Sequence, residues 1–224
     1  MEHSKLHLGV DDSGRGPVIG PMILAGCLLN EKDEAELKKL GVKDSKQVPA
    51  HKRKILAEEI RKKAIAWEIV VIYPQEIDAR TTNGINLNKL EAIKMAEIIN
   101  KLNSHKQIKV FVDCPSPNII AWRNLLLRYI DKKDNLDIHC EHKADVNHVS
   151  CSAASILAKE KREEEVEKIK EFVGEDFGSG YSHDETTIKF IKEYYSKHKS
   201  DGIFRESWGT IANHKKEKEQ KKLV

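Results

Sequence analysis

The chain has 224 residues, 39% of them hydrophobic, so it is long enough to bury a sizeable core and to fold by itself. It has no run of the roughly 18 apolar residues that a membrane helix needs, and its first residues lack the charged-then-apolar pattern of a secretory signal. We therefore expect a cytoplasmic protein with no membrane partner. The net charge of +3 permits a nucleic-acid substrate without requiring one.

The first part of the chain alternates apolar runs with polar breaks. Residues 6–12 and 18–29 have the β-favouring composition of strands, and a glycine-rich connection joins them. After a polar segment, residues 49–63 predict a basic helix, because proline suits the first helical turn. Residues 64–74 are nearly all apolar, which indicates a strand buried on both faces.

The middle of the chain alternates helices with two further strands. Apolar residues recur at helical spacing over 85–102, which predicts a long amphipathic helix. Residues 108–114 predict a strand, 118–130 a helix and 136–145 another strand. Residues 147–173 then predict a helix that becomes highly charged.

The order of these elements favours an α/β domain with a mixed sheet over a barrel of parallel strands. A glycine-rich loop over 174–185 leads to another helix, and no linker interrupts the chain. We therefore expect a single domain over residues 1–212, with a helical C-terminal part from about 174. The basic tail over 213–224 is expected to be disordered.

Aspartates stand at the ends of three predicted strands, as Asp11 with Asp12, Asp113 and Asp145. The carboxyl ends of neighbouring strands gather functional groups in α/β sheets. Carboxylates placed together repel one another unless cations neutralise them, and Mg²⁺ and Mn²⁺ prefer such oxygen ligands. The pattern thus indicates metal-dependent phosphoryl transfer, in which two ions about 4 Å apart act on a phosphodiester. Each aspartate by itself also fits the alternative of a turn or cap former.

The four cysteines are widely spaced and form no C-x-x-C pair. This spacing favours reduced thiols that pack as small hydrophobic side chains over a zinc site or a disulfide. We therefore place no cysteine in the candidate site.

Six motifs in fixed order resemble archaeal ribonuclease HII, the type 2 ribonuclease H: DDSGRGPVIGPM, KDSK, VDCPSPN, EHKADVNHVSCSAASILAK, DFGSGY and RESW. The resemblance implies a ribonuclease H-like mixed β-sheet flanked by helices, with a helical C-terminal extension. It also implies a monomeric endonuclease that hydrolyses the RNA strand of RNA/DNA hybrids. Such an enzyme incises duplex DNA on the 5′ side of embedded ribonucleotides, as in ribonucleotide excision repair, and leaves 3′-hydroxyl and 5′-phosphate ends.

By motif position, the resemblance makes four aspartates the catalytic and metal-binding residues, and assigns them two Mg²⁺ or Mn²⁺ ions: Asp11, Asp12, Asp113 and Asp145. Asp11 and Asp113 would lie between the two ions. The chain departs from the family where Asp12 replaces the usual glutamate and Ser13 the usual alanine. Because the side chain is shorter by roughly 1.5 Å, one C–C bond length, we expect activity to be retained with weaker metal affinity or a shift towards Mn²⁺.

The resemblance also assigns substrate-binding residues. The turn of Gly14, Arg15 and Gly16 would lie against the 2′-hydroxyl of the ribonucleotide, since a glycine has no Cβ to stop the main chain from approaching the sugar. Tyr181 would stack on the following deoxyribose.

Two lysines, Lys46 and Lys143, match basic positions near the substrate backbone. Other polar residues keep a structural interpretation: Arg205 and Trp208 are structural or accessory, and the basic helix fits a solvated face as well as a phosphate contact. At the C-terminus, Gln220 and Leu223 match only the beginning of a motif that docks on the sliding clamp.

Alternatives remain at this point. A protein that binds hybrids without cleaving them is compatible with the shortened Asp12. The related type 3 ribonuclease H normally has an additional N-terminal domain, whereas here the first motif begins within a dozen residues of the start. A nuclease or integrase of the same fold that acts on DNA would not need the glycine turn or Tyr181.

Overall fold

The computed structural model describes residues 5–42 and 48–221 of the chain. Its strands are β1 (Leu6–Ser13), β2 (Met22–Asn30), β3 (Ala66–Ile72), β4 (Ile108–Asp113) and β5 (Leu136–Glu141). Its helices are α1 (Glu31–Leu40), α2 (Ala50–Lys63), α3 (Pro74–Thr82), α4 (Leu87–Leu102), α5 (Ile119–Leu126), α6 (Ala144–Asn147), α7 (Val149–Val173), α8 (Glu185–His198) and α9 (Gly209–Lys221). Lys46 lies outside the described residues.

The strands form a mixed five-stranded sheet in the order β3-β2-β1-β4-β5. β1 runs antiparallel to β2 and parallel to β4, and β4 runs parallel to β5. This arrangement is the mixed α/β sheet that the sequence predicts. The parallel pairing of β1 with β4 matters for function, because it brings the carboxyl ends of these two strands to the same edge.

The centre of the sheet is buried because its strands are apolar on both faces. β2 is buried from Met22 to Leu29, and Leu8 and Val10 of β1 are buried as well. Gly9 of β1 lets the first turn of α7 approach closely, because a Cβ at this position would overlap the backbone of Ser150. This contact fixes α7 beside the strand that carries the first two acids.

The polar segment after β2 contains a helix that we did not predict, although its Glu, Lys, Ala and Leu residues favour one. Asn30 caps α1 by accepting a hydrogen bond from the backbone N–H of Asp33, and Gly41 ends the helix in the left-handed conformation. In the same way, α3 begins at Pro74, where the sequence suggests the end of a strand. Both helices are short, so the residues at their ends indicate a helix more clearly than the spacing of their hydrophobic residues does.

By contacts between residues the chain divides into two compact units. The first comprises Met1–Ser13, Ile23–Val70 and Leu87–Lys161, and the second comprises Gly14–Met22, Val71–Asn86 and Arg162–Val224. The second unit has its own apolar core, in which Phe190 contacts Phe177 and Phe204 with ring centroids 5.7 and 6.2 Å apart. The single domain over residues 1–212 remains a prediction.

The C-terminal residues continue the second unit as a helix. Where the sequence predicts a basic tail from residue 213, the structure has α9, which extends to Lys221. Within the described ranges, no helix combines the length and the apolar character needed to cross a bilayer.

Candidate active site

Two of the predicted acids lie at the carboxyl ends of adjacent parallel strands. Val10 of β1 and Val112 of β4 are register partners, and Asp11 and Asp113 each follow one of them. Asp12 comes next on β1, and its backbone N–H donates to Asp11 Oδ1 over 2.7 Å. The strand register therefore places this acidic cluster at one edge of the sheet, as the sequence predicts.

Asp145 joins the cluster from a different element than the sequence indicates. We expected it at the end of a strand over 136–145, but β5 ends at Glu141 and Asp145 lies on the short helix α6. The backbone N–H of Ala144 donates to Asp113 Oδ1 over 2.9 Å, so the first turn of α6 is held at the end of β4. Asp145 is 5% exposed and lies within the electrostatic range of the buried Cys151, as do Asp11 and Asp113.

The electrostatics of the cluster centre on Asp11, which is 4% exposed. Burial raises the pKa of Asp11 well above its ordinary value, and the negative charges of Asp12 and Asp113 raise it further. A hydrogen bond from the Ser155 side chain on α7 opposes these effects. Repulsion between the negative charges around the buried Asp11 is the condition that a bound cation relieves.

The donor chemistry of the cluster fits a hard divalent cation, because all of its acidic side chains offer carboxylate oxygens. In the structure, which covers residues 5–42 and 48–221, no three carboxylate, imidazole or thiol side chains are already grouped closely enough to hold an ion. The acids therefore offer suitable oxygen donors and lie at one sheet edge, but in this structure they are not close enough together to coordinate an ion.

Lys143 and His148 flank the short helix α6 that carries Asp145. Lys143 is exposed and precedes α6 in the left-handed conformation, with φ of 60°. His148 stacks on Phe111 with ring centroids 3.6 Å apart and pairs with Glu141. Glu141 is the register partner of Asp113, so this pair lies beside the cluster. Both residues belong to the EHKADVNHVSCSAASILAK motif, but sequence reasoning assigns neither of them a role.

The four cysteines lie among the described residues, and none of them is in a disulfide. All four are free thiols. Burial raises the pKa of Cys151 well above its ordinary value, and the nearby acids raise it further. Its Sγ donates to the carbonyl oxygen of Val10 over 3.3 Å, so it serves as a buried packing residue.

In the second unit, the glycine turn is held by its carbonyl oxygens. Arg205 donates to the carbonyls of Gly14 and Arg15 over 2.6 and 2.8 Å, and also to that of Gly20 over 3.0 Å. The indole N–H of Trp208 donates to the carbonyl of Gly16 over 3.2 Å. Arg205 is fully buried. The RESW motif therefore supports the turn directly, a role that sequence reasoning left as structural or accessory.

Tyr181 lies beside the same turn. A Cβ at Gly16 would be 3.3 Å from Cε1 of the Tyr181 ring, and the guanidinium of Arg162 lies over that ring, 5.3 Å from its centroid. Arg162 also donates to the carbonyl of Ser179 over 2.9 Å. At Gly14, which has φ of 81°, a Cβ would be 2.6 Å from Arg162. The unit thus brings the predicted turn and the predicted tyrosine together, and adds Arg162 as a residue that sequence reasoning missed.

Comparisons with known proteins agree over nearly the whole chain. The family model for ribonuclease HII matches residues 8–211. A curated ribonuclease HII of Pyrococcus furiosus is 42% identical over 204 residues, which are 91% of this chain and 88% of that protein.

Two solved structures show the same similarity in three dimensions. The crystal structure of ribonuclease H2 from Pyrococcus horikoshii OT3 matches with a TM-score of 0.85 at 34% identity, covering 95% of this chain and 98% of that one. The ribonuclease HII in a complex with PCNA from Archaeoglobus fulgidus matches with a TM-score of 0.79 at 37% identity, covering 93% and 96%. The chain therefore belongs to the ribonuclease HII family, whose members cleave the RNA strand of RNA/DNA hybrids.

Proposed function

We propose that this ribonuclease incises duplex DNA on the 5′ side of an embedded ribonucleotide, in addition to cleaving RNA/DNA hybrids, and that it leaves 3′-hydroxyl and 5′-phosphate ends. The observation that carries the proposal is the buried Asp11, whose charge Asp12 and Asp113 oppose rather than neutralise. A buried carboxylate in this position disfavours folding at neutral pH and is suited to binding a cation.

The four acids would hold two Mg²⁺ or Mn²⁺ ions: Asp11, Asp12, Asp113 and Asp145. Bound divalent ions in such a site activate the attacking water and stabilise the departing 3′ oxygen. The chain supplies fixed positions for this chemistry. β1 and β4 hold Asp11 and Asp113 in register, and the hydrogen bond from Ala144 fixes the orientation of the Asp113 carboxylate.

Recognition of the ribose is assigned to the second unit. Gly14, Arg15 and Gly16 form a turn whose main chain can approach a sugar, because the glycines have no side chain in the way. Tyr181 offers an aromatic ring for the following deoxyribose, and the guanidinium of Arg162 lies over that ring, 5.3 Å from its centroid. These contacts support discrimination at the 2′-hydroxyl, which distinguishes RNA from DNA.

The oligomeric state and the contacts with the substrate backbone are part of the same proposal. We propose a monomer in which Lys143 contacts the substrate backbone, as does Lys46 outside the described residues.

The Archaeoglobus fulgidus relative forms a complex with PCNA. A weak sliding-clamp contact through the C-terminal residues of this chain is proposed by analogy, with Gln220 on α9 and Leu223 beyond the described residues.

The decisive experiment compares an end-labelled duplex that contains one ribonucleotide with an all-DNA duplex of the same sequence, in Mg²⁺, in Mn²⁺ and in chelator. We expect a single cut 5′ of the ribonucleotide that requires metal, and no cut in the all-DNA duplex. Asp113→Asn, which keeps the shape but removes the charge, should abolish cutting, whereas Asp134→Asn at an exposed loop position should not.

Two results would overturn the proposal. Equal cutting of the two duplexes would point to a nuclease that ignores the 2′-hydroxyl. Protection of the ribonucleotide without cutting, under every metal condition, would favour the hybrid-binding alternative. Because phosphate contacts release counterions, binding should also weaken as salt is raised.

A further inference from the structure

The glycine turn is supported by neighbouring residues to which we assign no contact with the substrate. Trp208 donates to the carbonyl of Gly16. Two guanidinium groups lie over its indole ring, those of Arg205 and Arg80, at 5.0 and 5.5 Å from the ring centroid. Trp208 is therefore held by cation–π contacts to its ring as well as by the hydrogen bond from its N–H to the turn.

The backbone before Trp208 is fixed in turn by one residue of α3. Asp78 Oδ2 accepts a hydrogen bond from the backbone N–H of Glu206 over 2.8 Å. Asp78 Oδ1 accepts from both the N–H and the hydroxyl of Ser207, over 3.0 and 2.6 Å. A single carboxylate thus satisfies three donors of the two residues that immediately precede Trp208.

We propose that Asp78 is a positioning residue for the glycine turn, and that it acts through Trp208. This inference rests on the proposed function, because it is the 2′-hydroxyl contact that makes the position of the turn important. Hydrogen bonds tolerate only a few tenths of an ångström before they weaken. A turn whose Gly16 carbonyl is no longer held would therefore lose discrimination between ribose and deoxyribose before it loses general affinity for duplexes.

Two mild variants test the proposal, since the fully buried Arg205 is a poor choice for substitution. Trp208→Phe keeps an aromatic ring for the two arginines, although a smaller one, and removes the N–H donor. Asp78→Asn keeps the size of the side chain but replaces one acceptor oxygen by an amide. The matched controls are Trp67→Phe, at a half-exposed tryptophan of the first unit, and the exposed Asp134→Asn.

The first measurement is amide hydrogen exchange of the peptide that spans residues 14–20, which needs neither substrate nor metal. Both variants should exchange faster there by about fivefold, the factor that corresponds to one lost neutral hydrogen bond. The controls should leave this peptide unchanged. Unchanged exchange in both variants would overturn the proposal even if the enzyme proves to have another substrate.

The second measurement is the ratio of the Kd for an all-DNA duplex to that for the one-ribonucleotide duplex, determined in chelator. The variants should lower this ratio by about fivefold without changing the Kd for the all-DNA duplex. The double variant should lose no more than the larger single loss, because the two residues act along one path. If the losses of the two single variants add in the double variant, Asp78 does not act through Trp208 and the proposal is contradicted. If the wild-type protein has a Kd ratio of one, the proposed function is contradicted instead.

Discussion

Asp113 Oδ1 accepts a hydrogen bond from the backbone N–H of Ala144, and this bond joins the end of β4 to the helix that carries Asp145. Two acids that are far apart in the chain are brought to one sheet edge by it, since Asp145 directly follows Ala144. The same bond occupies one oxygen of Asp113, so that the orientation of this carboxylate is set before any ligand arrives.

Asp11→Asn should stabilise the protein while abolishing its activity. The folded-state pKa of Asp11 is raised, so the native state binds more protons than the unfolded state and stability falls as pH rises through that window. At neutral pH we expect the variant to have a higher Tm than the wild type, because it lacks the carboxylate charge that burial and the neighbouring acids disfavour. The gain should vanish below about pH 4, where both states are protonated, and differential scanning calorimetry across pH measures it.

The same variant tests metal binding without an activity assay. Mn²⁺ should raise the Tm of the wild-type protein, because a ligand that binds only the folded state stabilises it. Asp11→Asn should respond much less to the ion. An equal response of the two proteins would show that the ion binds elsewhere.

Asp12→Glu should lower the metal concentration needed for activity. The additional methylene restores the reach that the family normally has at this position, and a changed contact at a metal site alters affinity by about tenfold or more. A titration of cleavage rate against Mg²⁺ and Mn²⁺ checks this, with Asp134→Glu as the control. Identical titration curves for Asp12→Glu and wild type would show that reach at this position is unimportant.

Gly16→Ala should separate recognition from folding. The added Cβ would be 3.3 Å from Cε1 of Tyr181, a close approach that the partly exposed ring can accommodate by a small shift. We expect little change in Tm but a loss of about tenfold in cutting at a single ribonucleotide, because the methyl group keeps the sugar from the main chain. Gly209→Ala, where nothing lies within 4 Å of the new Cβ, is the matched control. A Gly16→Ala enzyme with undiminished cutting would rule out close sugar contact at this residue.

Asp184→Ala should loosen the loop that carries Tyr181. Asp184 caps α8 and accepts hydrogen bonds from the side chain and backbone N–H of Ser179, which lower its pKa to about 2. Loss of a cap typically costs about 1 kcal/mol, or a Tm lower by about 3 °C for a chain of this length.

The pH dependence of this cost has the opposite sign to that of Asp11. Because the pKa of Asp184 is lowered, its contribution is present above about pH 4 and is lost as pH falls towards about 2. The difference in Tm between wild type and Asp184→Ala should therefore shrink over that range. A difference that stays constant would show that the hydrogen bonds do not depend on the ionised carboxylate.

The sequence by itself determined the class of fold and most of the acidic cluster. Apolar runs ended by aspartates identify β1 and β4, because a buried strand requires continuous hydrophobic residues and its end is the first place where a charge is tolerated. The order of the motifs identified the family. These features are local in the chain, so they can be read without knowing which segments meet.

Only the tertiary structure decided how the distant segments support the site. Asp145 lies on α6 rather than on a strand, and the Asp113 carboxylate accepts a hydrogen bond from the N–H of Ala144 at the start of that helix. Arg205 and Asp78 support the glycine turn from positions far along the chain, through bonds to backbone atoms. Backbone carbonyls and N–H groups are the same in every residue, so no residue pattern in the sequence marks which of them a buried side chain will bind.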